Sequence, residues 1–134
     1  MINNELVVEP TNENLEKIFS FVGDTLKEFD ISSKYKFQLE LAIEEIFVNI
    51  VSYSNAKSIK VTSNVSEDPL MITIRFIDDG VQFNPLEKED ADVHLDLDEK
   101  PIGGLGLILV KNNVNEISYE YIDNKNALTI KKTL

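Results

Sequence analysis

The 134-residue chain is long enough to bury one core and too short for two independent units, and its 43% apolar, 28% charged composition is that of a folded globular protein. A net charge of −11 disfavours phosphate backbones and anionic lipid surfaces as partners, so neither nucleic acid nor membrane is expected. Zero cysteines exclude disulfides, thiolate metal sites and a cysteine nucleophile, the single histidine, His94, excludes a multi-histidine metal centre, and with no apolar run near about 18 residues and no basic, apolar leader a cytosolic chain is expected.

Residues 5–9 read as a short strand. Leu15, Ile18, Phe19, Val22 and Leu26 then recur at helical spacing, with Thr11 as the expected cap. A second helix is expected from Ser32 or Ser33 to about Tyr53, with Tyr35, Leu39, Ala42, Ile43, Ile46 and Ile50 as its apolar stripe. From Ile43 to Val51 apolar residues surround that helix almost completely, so its second half should be buried on several sides. Strands follow near 58–65 and 70–78, then a stretch from Gly80 to Gly106 without periodicity. A short helix should open around Gly106, and a hairpin with strands near 116–122 and 127–133, turning at Asp123-Asn124-Lys125-Asn126, closes the chain. With no repeat or linker, residues 1–134 read as a single domain with helices layered on one face of a mixed sheet.

Three short motifs carry chemistry. Glu45 and Asn49, four residues apart, lie about 40° apart on one helix flank. Alone such a pair also describes a solvated flank, but Ile46, Val48 and Ile50 crowd the same turn, so the carboxylate and amide should be partly desolvated and in want of a partner; the Asn49 carbonyl would suit Mg²⁺. Asp78 shares a strand face with Ile72, Ile74 and Phe76, which makes it either a turn-forming residue ahead of Gly80 or a buried acceptor awaiting a donor. Gly103-Gly104-Leu105-Gly106 precedes an apolar helix, where backbone N–H groups can approach a polyphosphate. It is neither a Walker A sequence nor a Rossmann fingerprint, and glycines there also serve loop flexibility.

A helical Glu-x-x-x-Asn box, an Asp-x-Gly box after a strand and a glycine-rich box opening a helix, in that order, resemble the GHKL ATPase superfamily. Asp78-Asp79-Gly80-Val81-Gln82-Phe83-Asn84-Pro85 looks like the variant found in its small anti-sigma factor serine/threonine kinases. The resemblance implies an α+β two-layer sandwich, the Bergerat fold, with a mixed, mostly antiparallel sheet and helices on one face. It also implies ATP and Mg²⁺ as ligands. Asp78 would accept from the adenine amino group with Thr129 supporting it, Asn49 would coordinate Mg²⁺, and Glu45 would be the general base. Gly80 would belong to the nucleotide site, Gly103, Gly104, Leu105 and Gly106 would hold the phosphates, and residues 86–102, rich in acids and containing His94, would form a lid. The chain departs from wider family patterns at Gln82, where a second glycine would fall, and at Tyr53, where some relatives place a histidine.

The implied activity is transfer of the ATP γ-phosphoryl group to a serine or threonine of a STAS-domain anti-anti-sigma partner, with a sigma factor as a possible competitor and a possible homodimer as the assembly. The alternative is an ATP-binding interaction module without significant phosphotransfer. A sensor histidine kinase lacks room here for its dimerisation helices, and a metal hydrolase built on the acidic run lacks ligand-like spacing on a rigid element.

Overall fold

The computed structural model describes residues 4–86 and 106–134. In chain order these form β1 (Glu5–Val8), a 3₁₀ turn (Asn12–Asn14), α1 (Leu15–Leu26), α2 (Ser33–Tyr53), β2 (Ile59–Ser66), β3 (Met71–Asp78), α3 (Gly106–Asn113), β4 (Glu116–Ile122) and β5 (Lys125–Thr133).

α1 buries Ile18, Val22 and Leu26, one residue per turn, as its spacing predicts. Its entry differs from expectation: the 3₁₀ turn intervenes, and Thr11 makes no side-chain capping bond. α2 is capped as the sequence suggests, Ser32 Oγ accepting from Tyr35 N at 3.2 Å. It ends where Asn55 enters the left-handed region at φ 55°, a short polar residue that tolerates this stop. The second half of α2 buries Ile43, Ile46, Phe47, Asn49 and Ile50, whereas Tyr35, expected in the stripe, lies in the first turn and is 39% exposed.

The strands form one sheet in the order β1-β2-β3-β5-β4, and every ladder among the described residues is antiparallel. Strict alternation along β3 sends Ile72, Ile74, Phe76 and Asp78 to the helix side. Val61, Ile59, Leu128 and Ile130 join them there, and α1, α2 and α3 add Ile18, Ile43, Phe47 and Val110 to a single core. Ser63, fully buried on β2, is matched within that layer by Thr25 Oγ1 of α1 at 2.8 Å. The architecture is therefore the two-layer α+β sandwich expected from the sequence, with the sheet antiparallel throughout among the described residues where a mixed one was expected.

The last hairpin turns on two residues where four were expected. Asp123 and Asn124 both have positive φ, 54° and 61°, the conformation of a tight turn matched to strand twist. Lys125 and Asn126 consequently belong to β5, and Asn126 pairs with Asp78 across the sheet.

Candidate functional site

At the Asp78 end of the sheet the core changes character. Asp78 is 3% exposed, Asn49 5%, Asn126 4% and Ser54 1%, so four polar side chains are buried together where apolar groups would be expected. Asn49, Ser54, Asp78 and Asn126 line one pocket with Ile46, Ile50, Phe83, Pro85, Tyr119 and Leu128. The pocket encloses about 20 Å³, room for a single water.

Asp78 is held by donors that the β3 exit supplies. Its Oδ1 accepts from Gly80 N at 2.9 Å and from Asn126 Nδ2 at 3.0 Å. The Ser54 hydroxyl donates to Ile50 O at 2.9 Å, and its nearness also favours the charged form of Asp78. A carboxylate has about four lone-pair sites, so Asp78 retains acceptor capacity toward the pocket. Burial pushes its carboxyl above the ordinary value, against the lowering effect of those hydrogen bonds.

Asn126 saturates its amide. Nδ2 donates to Asp78 Oδ1 and to Val81 O, at 2.7 Å, while Oδ1 accepts from Phe83 N at 2.9 Å and from the Tyr119 hydroxyl. One side chain thereby joins β3, the 81–83 segment, β4 and β5. Thr129, expected to support Asp78, does not do so. It pairs with Arg75 and Ser118, three residues out of register, and that odd offset puts it on the opposite face of the sheet.

Asn49 differs from these neighbours. Its Nδ2 is buried and has no hydrogen-bond partner among the described residues. An unmet carboxamide in the pocket beside Asp78 fits a site that a polar ligand completes. Glu45, one turn earlier and half-buried, has its carboxyl pushed up by burial and, less, by Glu44. It does not line the pocket around Asp78, so the two halves of the α2 motif face different parts of the site.

Gly80 has a packing reason to be glycine. A Cβ there would stand 2.1 Å from the Ser54 carbonyl oxygen, where the end of α2 presses on the β3 exit, and Val81 N donates to the same oxygen at 2.8 Å. Asp79 is structural as well: Oδ1 accepts from Lys57 N at 2.8 Å and Ser58 N at 3.1 Å, which fixes the entry to β2. Phe83 stacks on Tyr53, centroids 5.4 Å apart, so Tyr53 supports the pocket wall.

Gly103, Gly104, Leu105, His94 and all but the first residue of the expected lid lie outside the described residues; Gly106 is the first residue of α3. Among the described residues no group of three His, Asp or Glu side chains is placed to hold a metal ion, and no helix is long and apolar enough to cross a membrane. Sequence reading missed Asn126, Tyr119 and Ser54. The signal for Asn126 was the hairpin turn: two left-handed residues at Asp123-Asn124 bring it into the strand.

No curated protein matches the chain in sequence. Among solved structures, the RsbU and RsbW domains of a Mycobacterium tuberculosis protein superpose with a TM-score of 0.64 at 16% identity, covering 98% of this chain and 33% of that one. The chain thus spans about a third of that protein's length. The histidine kinase AdeS of Acinetobacter baumannii matches at TM-score 0.55 and 19% identity, over 99% of this chain and 68% of that chain. A mycobacterial sensor histidine kinase, MprB, matches at TM-score 0.55 and 16% identity, over 96% and 100%. All three share the fold. The model of the histidine kinase-like ATPase domain matches residues 8–132, nearly the whole chain, and with the Glu45/Asn49, Asp78/Gly80 and Gly103–Gly106 boxes in their order, this chain belongs to the histidine kinase-like ATPase domain family of the GHKL superfamily.

Proposed function

We propose that the chain binds ATP with Mg²⁺ and transfers the γ-phosphoryl group to a serine or threonine hydroxyl of a protein partner. The observation that carries the reading is the unmet, buried Nδ2 of Asn49 in the same pocket as Asp78, a carboxylate with acceptor capacity to spare. Asp78 would accept from the amino group of adenine, and the apolar wall of Ile46, Ile50 and Leu128 would take the ring. Asn49 would turn its carboxamide so that its oxygen holds the metal and its amide meets a phosphate oxygen. Mg²⁺, when bound, would offset charge on the phosphates.

Glu45 would take the hydroxyl proton as the substrate oxygen bonds to the γ-phosphorus and the bond to the β-bridging oxygen breaks, leaving ADP. Its raised pKa brings it toward the pH at which a carboxylate works best as a base. The partner class, a STAS-domain protein, rests on the resemblance of Asp78–Pro85 to the anti-sigma kinases, as do a competing sigma factor and a homodimer; a cytoplasmic location rests on the composition.

Calorimetric titration with ATP, with and without Mg²⁺, tests the pocket, and Asp78→Asn is the control for the base contact. Saturable, Mg²⁺-strengthened binding that the variant loses is expected; no binding at millimolar ATP overturns the reading. For phosphotransfer, Glu45→Gln should bind ATP and fail to phosphorylate. Undiminished phosphorylation by that variant removes Glu45 from the role of base.

A further inference from the structure

Lys132 is 5% exposed on the helix side of β5, in the layer of Leu128 and Ile130. A buried cation is costly without partners, and the ion pairs among the described residues join Lys60 to Glu5, Arg75 to Glu120 and Lys131 to Glu116, leaving Lys132 without a carboxylate. Its Nζ donates to Gln38 Oε1 at 2.9 Å and to Asn113 O at 2.6 Å, and lies 5.2 Å from the centre of the Tyr35 ring. Asn113 is the last residue of α3, so the ammonium meets the negative end of that helix. The same end is stitched to β5 by Asn115 N to Lys131 O at 2.8 Å and Thr133 N to Asn115 Oδ1 at 2.7 Å.

We propose that Lys132 is a positioning residue for the triphosphate of the nucleotide: by tying Gln38 of α2 to the C-terminal carbonyl of α3, it fixes the separation of the two helices between which the phosphates lie. The inference rests on the nucleotide reading above. Gln38, Glu45 and Asn49 follow one another at spacings of seven and four, so all three lie on one flank of α2. α3 packs against α2 and is tied at its own C-terminal end to the N-terminal part of α2, so it extends back toward the second half of α2. Seven residues back from Asn113 and seven on from Gln38 each rise about 10 Å, which brings Gly106, the last glycine of the box, roughly level with Glu45. The cation thus pins one end of the α2–α3 pair, toward whose other end Glu45 and Asn49 stand on α2 and Gly106 opens α3. Burial, and next the charge of Lys34, hold its pKa down, as expected of an ammonium kept for its geometry with no opposite charge beside it.

The experiment compares the full chain with Lys132→Met, which keeps the apolar stem and removes the donors, by titrating each with Mg²⁺-ATP and with adenosine. Adenosine affinity is expected to stay within about twofold while ATP affinity falls at least about tenfold, because only the phosphates reach α3. Equal losses for both ligands make Lys132 merely structural and overturn the proposal; wild-type protein that binds neither ligand removes the nucleotide reading itself. Backbone hydrogen exchange supplies a readout without nucleotide: amides of residues 108–113 should exchange at least about tenfold faster in the variant, and unchanged exchange there overturns the pin. Should Lys132→Met fail to fold, Gln38→Leu, which removes one anchor and leaves the lysine, should show the same split between ATP and adenosine at smaller size, and its absence counts against the proposal equally.

Discussion

Replacing Asn126 by Ala tests whether this residue, and not Thr129, organises the site. The substitution removes one hydrogen bond each from Asp78 Oδ1, Val81 O, Phe83 N and the Tyr119 hydroxyl at once. The bond to Asp78 is buried and involves an ionisable acceptor, worth about 1.5–3 kcal/mol; the other three are part-buried, where water can substitute, at about 0.5–1 kcal/mol each. The expected loss is about 3–6 kcal/mol, a large share of the roughly 5–15 kcal/mol that stabilises a domain. With an m-value of about 1.5 kcal/mol/M, the urea midpoint should fall by about 2 M or more. Thr129→Ala, on the other face of the sheet, should stay within about 1 kcal/mol of wild type. Asn126→Asp separates hydrogen bonding from volume: it keeps the shape but sets a second carboxylate against Asp78. It should be as destabilising as Ala at neutral pH and recover in acid, where the pair can share a proton. An Asn126→Ala midpoint shift worth under about 1 kcal/mol, or a Thr129→Ala loss of equal size, refutes the assignment.

Asp78→Asn should bind no ATP yet be as stable as wild type at neutral pH, or more so. Because burial raises the Asp78 pKa, the native state binds more protons than the unfolded state between the ordinary carboxylate range and the raised value; stability therefore falls as pH rises through that window, and Asn removes the loss. Urea midpoints at pH 5 and 7 check it, and a strongly destabilised variant at pH 7 contradicts it. Gly80→Ala sets a methyl group 2.1 Å from the Ser54 carbonyl oxygen, so the β3 exit must shift at about 2–3 kcal/mol; a Tm drop on the order of 10 °C is expected, and a Tm within a few degrees of wild type contradicts the close approach. Ser32→Ala, which removes the α2 cap, should cost about 1 kcal/mol with ATP affinity unchanged, read by denaturation and calorimetry together.

The sequence made local order legible and left pairing at a distance obscure. The bounds of α2 follow from Ser32 and the apolar run, and the burial of Asp78 follows from the alternation of Ile72, Ile74 and Phe76, because helix caps and strand periodicity are written in neighbouring residues. The contact of Asn126 with Asp78 spans 48 residues and depends on the register of β3 against β5, which nothing in either strand specifies alone. A four-residue turn leaves Asn126 outside the strand, and the expected support of Asp78 by Thr129 rests on the family resemblance alone. Gly80 enters the nucleotide site through the resemblance alone, and its packing constraint comes from Ser54, 26 positions earlier, which neither local sequence shows.

The distribution of buried polar groups is itself an argument about where function lies. Ser63 is matched by Thr25, and Lys132 by Gln38 and the end of α3, so those burials are satisfied within the fold. Asn126 is satisfied four times over and serves to hold Asp78. Asn49 has an amide that nothing among the described residues meets, and Asp78 carries a raised pKa despite its donors. An apolar residue at either position would remove a desolvation cost on the order of 1–3 kcal/mol. Among the described residues the other buried side-chain atom without a partner is Arg75 Nε, on the opposite face of β3; in the pocket that Asn49 and Asp78 share, a ligand offering both a donor to Asp78 and an acceptor to Asn49 would relieve the cost. An adenine nucleotide, with its amino group at one end and phosphate oxygens at the other, has that pattern.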